Sequence, residues 1–192
     1  MTHEEATLQT KTALAISLKH YMTRKPLSKI TVNDLITDCN VNRKTFYYHF
    51  ENIYDLLKWM LEQEAIEVVR TFDLLVDYEA AIHFIVKYVQ SNAHILNCAY
   101  DSMGRDEMKR FFYQDFFSVI QNIIDDCEQS NALSIDDDFK SFLCDFLTEG
   151  TAGILVNGFR DEKKLNEQKL TENVTVLLDS LPDMLKHAPA KK

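Results

Sequence analysis

Twenty residues, Thr31 to Phe50 (TVNDLITDCNVNRKTFYYHF), constrain the fold of this chain more than any other stretch, because they lay out two short helices around a sharp turn. Thr31 can cap a helix that starts at Val32, with Asp34 in the acidic first-turn position that suits the positive helix end. Val32, Leu35 and Ile36 give that helix one apolar face, and Cys39-Asn40 ends it, Asn being the non-glycine residue best able to turn left-handed. Asn42 can cap the second helix. Its inward positions Val41, Phe46 and Phe50 then pack onto Leu35 and Ile36, while Arg43, Lys44, Tyr47 and Tyr48 point outward. So short a helix does not persist alone in water. It needs a partner, and a preceding helix from about Thr7 to Thr23, with Leu14, Leu18 and Met22 at helical spacing, supplies one. Three helices build one small head.

An ordinary αα-hairpin is the plainer reading, since helix-turn-helix geometry recurs in proteins that bind no nucleic acid. Against it stand Tyr47 and Tyr48, adjacent aromatics of which only one can be buried, beside Arg43 and Lys44 on the same exposed side. The charge distribution points the same way. The chain carries −9, but residues 1–50 hold seven Lys or Arg against four Asp or Glu, a balance of +3, and the remainder fourteen against twenty-six, a balance of −12. Phosphate contacts are local, so a basic head on an acidic body is compatible with DNA and helps orient the head toward it. The acidic residues also keep the body soluble.

The apolar, Thr-capped helix, the tight turn and the run V-N-R-K-T-F-Y-Y-H-F resemble the DNA-binding head of TetR-type regulators over about residues 8–60. The resemblance implies that Tyr47, Arg43, Lys44 and Thr45 touch bases and phosphates and that Tyr48 and His49 touch mostly backbone, with Thr31 completing the DNA-contacting set. This chain departs from the family in having Asn40 where Gly is common in the turn, and Ile53 where a Lys commonly starts the fourth helix and contacts phosphate. The resemblance further implies a helix-turn-helix domain over residues 1–50 and an effector-binding, dimerising helical domain over 51–192. The protein expected is a homodimer on a palindromic double-stranded operator, sensing a small-molecule effector or a protein. The head, with FENIYDLLKWM after it, is also similar to a subgroup that activates dihydroxyacetone kinase operons, some members of which respond through a kinase-like coactivator protein.

The rest of the chain reads as all-α. All four Gly lie beyond residue 103, and Asn157-Gly158, the one hairpin-type dipeptide, follows a helix-period run and reads as a helix end. Asn52 can cap a helix through Leu56, Leu57, Met60 and Leu61 toward Phe72, connecting head to body. Amphipathic segments follow near 79–100 and 105–127, then a polar loop at 130–134 before Asp136 to Asp138 open the next helix. Gly150 and Gly153 fall in mid-helix, where each costs about 1 kcal/mol against Ala, and close approach of another helix would compensate. Leu170, Val174, Leu177, Leu181 and Met184 form a seam suited to bundle packing, with Pro182 kinking or shortening its end. Two such terminal helices from each of two subunits would make a four-helix interface, the alternative being packing within one chain.

No apolar run approaches a membrane span, and an N-terminus with Glu4, Glu5 and no apolar core does not read as a signal peptide. Cys39, Cys98, Cys127 and Cys144 lack CxxC spacing, which fits reduced, buried thiols in a cytoplasm and gives no expectation of metal or cofactor. Candidate effector contacts are Trp59, His94, Tyr100 and Tyr113, with His83, Tyr88 and several Phe behind them; any aromatic at helical spacing is also a core residue. A helical di-iron enzyme requires paired Glu-x-x-His motifs, which the chain lacks, and Glu79 with His83 reads as a weak surface pair. Nucleophile elbows, P-loops and dinucleotide turns are absent too, so the expectation is a non-enzyme. A helical protein-binding adaptor without DNA affinity stays open as the other class.

Overall fold

In the computed structural model, which describes residues 2–160 and 165–191, regular structure is helical; Ile135 and Ala190 form an isolated bridge, and no strand occurs among the described residues. The first helix, α1 (His3–Met22), starts at a capping box of Thr2 with Glu5 and buries Leu14, Leu18 and Met22 as their spacing predicts. After a single 3-10 turn at Leu27–Lys29, α2 (Val32–Asp38) is capped by Thr31. Asp34 Oδ2 accepts from the Thr31 backbone and hydroxyl, both at 2.7 Å, and from Lys25 Nζ at 2.8 Å. The Lys25 ammonium and the two Thr31 donors hold the Asp34 carboxyl at about 2.

Asn40 takes φ 51, and Val41 N donates to Ile36 O at 3.0 Å while Asn40 N donates to Thr37 O at 3.3 Å. That double closure is the Schellman turn usually given to glycine. Asn42 caps α3 (Arg43–His49), whose Phe46 is fully buried against the fully buried Leu35; Phe50 follows inward, and Ile36 and Val41 are partly buried beside them.

Asn52 Oδ1 accepts from Tyr54 N at 2.8 Å and Asp55 N at 3.0 Å to start α4 (Ile53–Leu61). The chain then passes through a π-helical turn, Glu62–Ile66, into the short α5 (Glu67–Val69). The expected helix toward Phe72 is therefore interrupted. A second interruption falls inside the expected segment 79–100: α6 (Tyr78–Ser91) stops at Asn92, whose side chain donates back to Tyr88 O at 3.0 Å, and α7 (Ala93–Ser130) begins. Gly104, at φ 78, breaks α7 in a conformation that a Cβ would strain.

Ala132, at φ 52, turns the chain toward α8 (Asp137–Arg160), whose first turn donates from Asp138 N and Phe139 N to Asp136 Oδ1. The pairs Asp101–Arg160 (2.6 Å), Arg105–Asn157 (3.2 Å) and Glu128–Lys140 (2.7 Å) show α8 running antiparallel to α7, the most extensive helix pair in the chain. Asn157-Gly158 does not end α8, which continues to Arg160. Gly150 and Gly153 lack the neighbouring helix expected of them: nothing lies within 4 Å of a Cβ at Gly150, and only the Arg105 guanidinium, at 4.0 Å, faces Gly153. The close approach is at Gly158, where a Cβ would collide with the side chain of the buried Leu165.

The last helix, α9 (Glu167–Lys186), contains Pro182 without stopping there. Its expected seam divides. Leu181 and Leu185 enter a second core with Ile124, Cys127, Leu143 and Cys144, whereas Leu177 and Met184 remain exposed. His83 pairs with Glu167 of α9 at 2.8 Å, drawing α6 and α9 together, instead of with Glu79. The tail folds back: Asp136 N donates to Pro189 O at 2.8 Å and Lys191 N to Ser134 O at 3.2 Å.

Gly158→Ala overpacks the contact with Leu165 and is expected to destabilise the fold by about 1–3 kcal/mol in urea denaturation; an unchanged midpoint would show that Leu165 moves aside freely. The lowered Asp34 pKa means that its ion pair stabilises the head fully above the ordinary carboxyl value of 3.8 and is lost as pH falls through about 2. Asp34→Asn is therefore expected to unfold at lower urea than the parent at pH 7, with the gap closing between those two pH values; a gap independent of pH would assign the loss to the capping bonds alone.

Candidate nucleic-acid interface

The outer face of α3 is built from behind. Phe46 anchors the helix in the core and meets Tyr47 edge-on at 5.4 Å, so that Tyr47 and Tyr48 stand out from the surface, 49% and 71% exposed. The Arg43 guanidinium lies 5.7 Å from the Tyr47 ring centre, a cation held over an aromatic face. Arg43 and Lys44 are exposed, and neither has a carboxylate within 4 Å among the described residues, whereas Lys25 is committed to Asp34. Lys11 sits over the rings of Phe50 and Trp59 at 5.3 and 4.9 Å. Arg43 and Lys44 thus stand on the outer face of α3 without an ion-pair partner among the described residues, as the exposed Arg24 and Lys29 do elsewhere on the head.

Two of the expected contact residues already hold other bonds. The Thr45 hydroxyl donates to Asn42 Oδ1 at 3.1 Å, and that of Thr31 to Asp34, so each fixes the start of its helix while its surface stays reachable. His49, half-buried and edge-on to Tyr48 at 4.9 Å, has its pKa lowered by burial and by the nearby Lys11 and His3, which keeps the imidazole neutral near pH 7. All seven residues lie in the head. Six of them lie on α3 and give that capped, packed helix a cationic and aromatic outer face, while Thr31 stands at the start of α2.

The four effector candidates are placed differently. In the body, a cavity of about 110 Å³ is walled by Leu61, Ile66, Tyr88, Phe112, Phe116 and Leu155, among others. Trp59, His94, Tyr100 and Tyr113 are not among its lining. Trp59 packs on Phe50 at 5.9 Å in the head core; His94 is exposed; Tyr100 lies under the Arg160 guanidinium at 5.0 Å; and the Tyr113 hydroxyl donates to Asp145. The cavity wall is assembled from five helices and the π-helical turn, so no local motif marks it. Of the wider set of aromatics, Tyr88 and the phenylalanines Phe112, Phe116 and Phe159 line it.

The polar neighbourhood of the cavity was equally invisible in sequence. Tyr88 donates to Glu64 Oε2 at 3.0 Å, and the same oxygen accepts Lys19 Nζ of α1 at 2.7 Å. On the other side of the turn, Lys58 stands 3.6 Å from Glu62 and 3.7 Å from Asp115, and Arg70 lies 3.7 Å from Asp115. Asp115 is buried, its Oδ2 has no hydrogen-bond partner, and desolvation pushes its carboxyl up, as it does that of Glu62. Desolvation also raises the four cysteine thiols, leaving them protonated, and no group of His, Cys, Asp and Glu among the described residues is arranged to hold a metal. No helix among them is long and apolar enough to cross a membrane.

Comparison with known proteins places this geometry. The chain is similar to the HTH-type dhaKLM operon transcriptional activator DhaS of Lactococcus lactis subsp. lactis (strain IL1403), 22% identical over 135 residues that make up 70% of this chain and 71% of the relative. The solved structure of a dihydroxyacetone kinase operon activator DhaS shares the fold at a TM-score of 0.68 and 21% identity, covering 92% of this chain and 97% of the other. A TetR-type family model, described as the transcriptional regulator C-terminal region, matches residues 77–180. Because that match spans more than half of the chain, the chain belongs to the TetR-type transcriptional regulators.

Proposed function

We propose that this protein is a sequence-specific DNA-binding regulator that grips a palindromic operator as a homodimer through residues 1–50 and senses its signal in residues 51–192. The observation that carries this reading is the exposed Arg43, Lys44, Tyr47 and Tyr48 face of α3, backed by fully buried Phe46. Tyr47 and Arg43 act as the groove readers, Lys44 and Thr45 meet phosphate or base edges, and Tyr48, His49 and Thr31 brace the backbone. Ile53, at the first turn of α4, supplies no cation there, so more of the phosphate grip falls to Lys44 and Arg43.

Dimerisation through α8 and α9 is favoured by what those helices leave uncovered. Phe142 and Phe146, 61% and 65% exposed, stack on each other at 6.1 Å, and Ile154 continues their face past the open surface of Gly150. Leu177 and Met184 add exposed apolar area on α9. A contiguous apolar face of this kind is costly in a monomer. A twofold pair would set two α3 helices about 34 Å apart, on successive major grooves.

Both relatives are named as operon activators, and activation of a dihydroxyacetone kinase operon is the outcome that this likeness favours. A footprint upstream of the protein's own and neighbouring genes, in the cytoplasmic setting this role implies, is expected to protect DNA lying wholly upstream of a core promoter. Protection across the promoter would make the protein a repressor, and no protection would favour the adaptor reading.

Tyr47→Ala is expected to weaken operator binding by about 1–3 kcal/mol while sparing non-specific DNA, and Lys44→Ala to weaken all sequences alike and lower the salt slope by about one unit. Equal affinities of parent and Tyr47→Ala for the operator would remove Tyr47 from the interface. Phe146→Asp is expected to convert a dimer into a helical monomer in sedimentation at micromolar concentration; a parent that is itself monomeric there would exclude the α8–α9 dimer.

A further inference from the structure

Tyr88 stands between the body cavity and the head. Its ring belongs to the cavity wall and stacks on Phe84 at 6.2 Å, while its hydroxyl turns away to donate to Glu64 Oε2. That same oxygen holds Lys19 of α1, the helix on which the head is built. Glu64 lies in the π-helical turn, and its neighbours Ala65 and Ile66 form the adjoining wall. Turns of this kind interrupt regular helix hydrogen bonding and recur at functional sites. One carboxylate oxygen therefore joins a cavity-wall side chain to the DNA-binding unit.

The cavity also limits its own occupant. Apart from Tyr88 and Thr151, every lining side chain is apolar, so no charged group is present to meet a charged ligand. Its volume of about 110 Å³ approaches the roughly 150 Å³ of an apolar cavity that admits benzene. Burial and the Glu64 charge push the Tyr88 phenol well above its ordinary pKa, so it stays a donor to Glu64 across the working range.

We infer that this cavity takes a small, uncharged, apolar molecule, and that the Tyr88–Glu64–Lys19 strap transmits its occupancy to the head. The inference rests on the reading of the body as a sensor. A close-packed wall cannot absorb an inserted molecule without shifting, and Glu64 cannot keep both donors at 3.0 and 2.7 Å when one of them moves. The ligand then favours the released arrangement to the extent that it binds that arrangement better.

Trp59, the chain's single tryptophan, packs in the head core and reports on it by fluorescence. Titration with benzene as the probe is expected to raise the melting temperature of the parent and to shift Trp59 emission. Thr151→Leu, which fills the cavity from α8, is expected to lose both effects. Tyr88→Phe and Lys19→Met keep the melting shift and lose the emission change. A parent that benzene does not stabilise, or a stabilisation that survives Thr151→Leu, overturns the ligand class and the site. Benzene binding without an emission change in the parent, or an emission change that survives in both strap variants, overturns the strap. DNA affinity is read separately by anisotropy, so a head that binds no DNA fails the regulator reading while leaving these signals intact.

Discussion

Burial of the inner face of α4 is the contact on which the rest of the molecule depends. Leu56, Leu57, Met60 and Leu61 are each no more than 2% exposed, and each such side chain contributes about 1.5–3 kcal/mol. That is a large share of the roughly 5–15 kcal/mol by which a domain is stable at all. These four residues lie in the same buried cluster as Leu14, Leu18, Leu35 and Phe46 of the head and Leu96, Met108 and Phe112 of the body. The head therefore has no separate core. Its aim is fixed by α4, which starts three residues after Phe50 and returns Trp59 against that ring.

Where the sequence was readable, the determinants were local. In the head, Thr31, Asn42 and Asn52 each cap the helix that their position announced, and Asn40 adopts the left-handed turn that its residue type allows. Phe46 and Phe50 turn inward because the three-to-four residue spacing leaves them no other face. In the body, packing decided among choices that periodicity leaves equal. Asn92 interrupts an apolar period that runs through it, and the π-helical turn adds a residue without any breaker in Glu-Gln-Glu-Ala-Ile. Gly150, Gly153 and Gly158 look alike in a helical run, yet only Gly158 meets a buried side chain, because Leu165 returns from beyond the end of α8. The cavity escaped for the same reason: Tyr88, the Phe112–Phe116 pair and Leu155 are far apart in sequence and each has the spacing of an ordinary core residue.

The charged cluster beside α4 has a different role from the apolar face. Asp115 is taken out of water with cations no nearer than 3.7 Å, and burial disfavours its ionised form, so the cluster is weak as a source of net stability. An apolar patch tolerates rotation of α4 by a fraction of a turn. The Lys58–Asp115 pair does not, because only a narrow range of rotation keeps Lys58 within reach of Asp115 on α7. Direction, not affinity, is what a buried ion cluster adds to a joint already sealed by leucines.

The π-helical turn is consequently held by polar contacts on two sides that answer to different parts of the protein. Glu62, at its start, faces Lys58 and Asp115 and belongs to the body's register; Glu64, two residues on, faces Lys19 and belongs to the head. Both ion pairs are only partly exposed, so they are less screened by salt than the surface pairs on α7 and α8. The outer face of α3 shows the opposite design: its cations are unpaired and its aromatics uncovered, with the satisfied hydrogen bonds kept at the caps behind them. On the proposed reading, the α3 surface keeps its charges free for a large anionic partner, whereas the joint spends its charges on itself and so holds one orientation. The division falls at the turn after Leu61, where Ala65 and Ile66 line the cavity and Glu64 reaches the head.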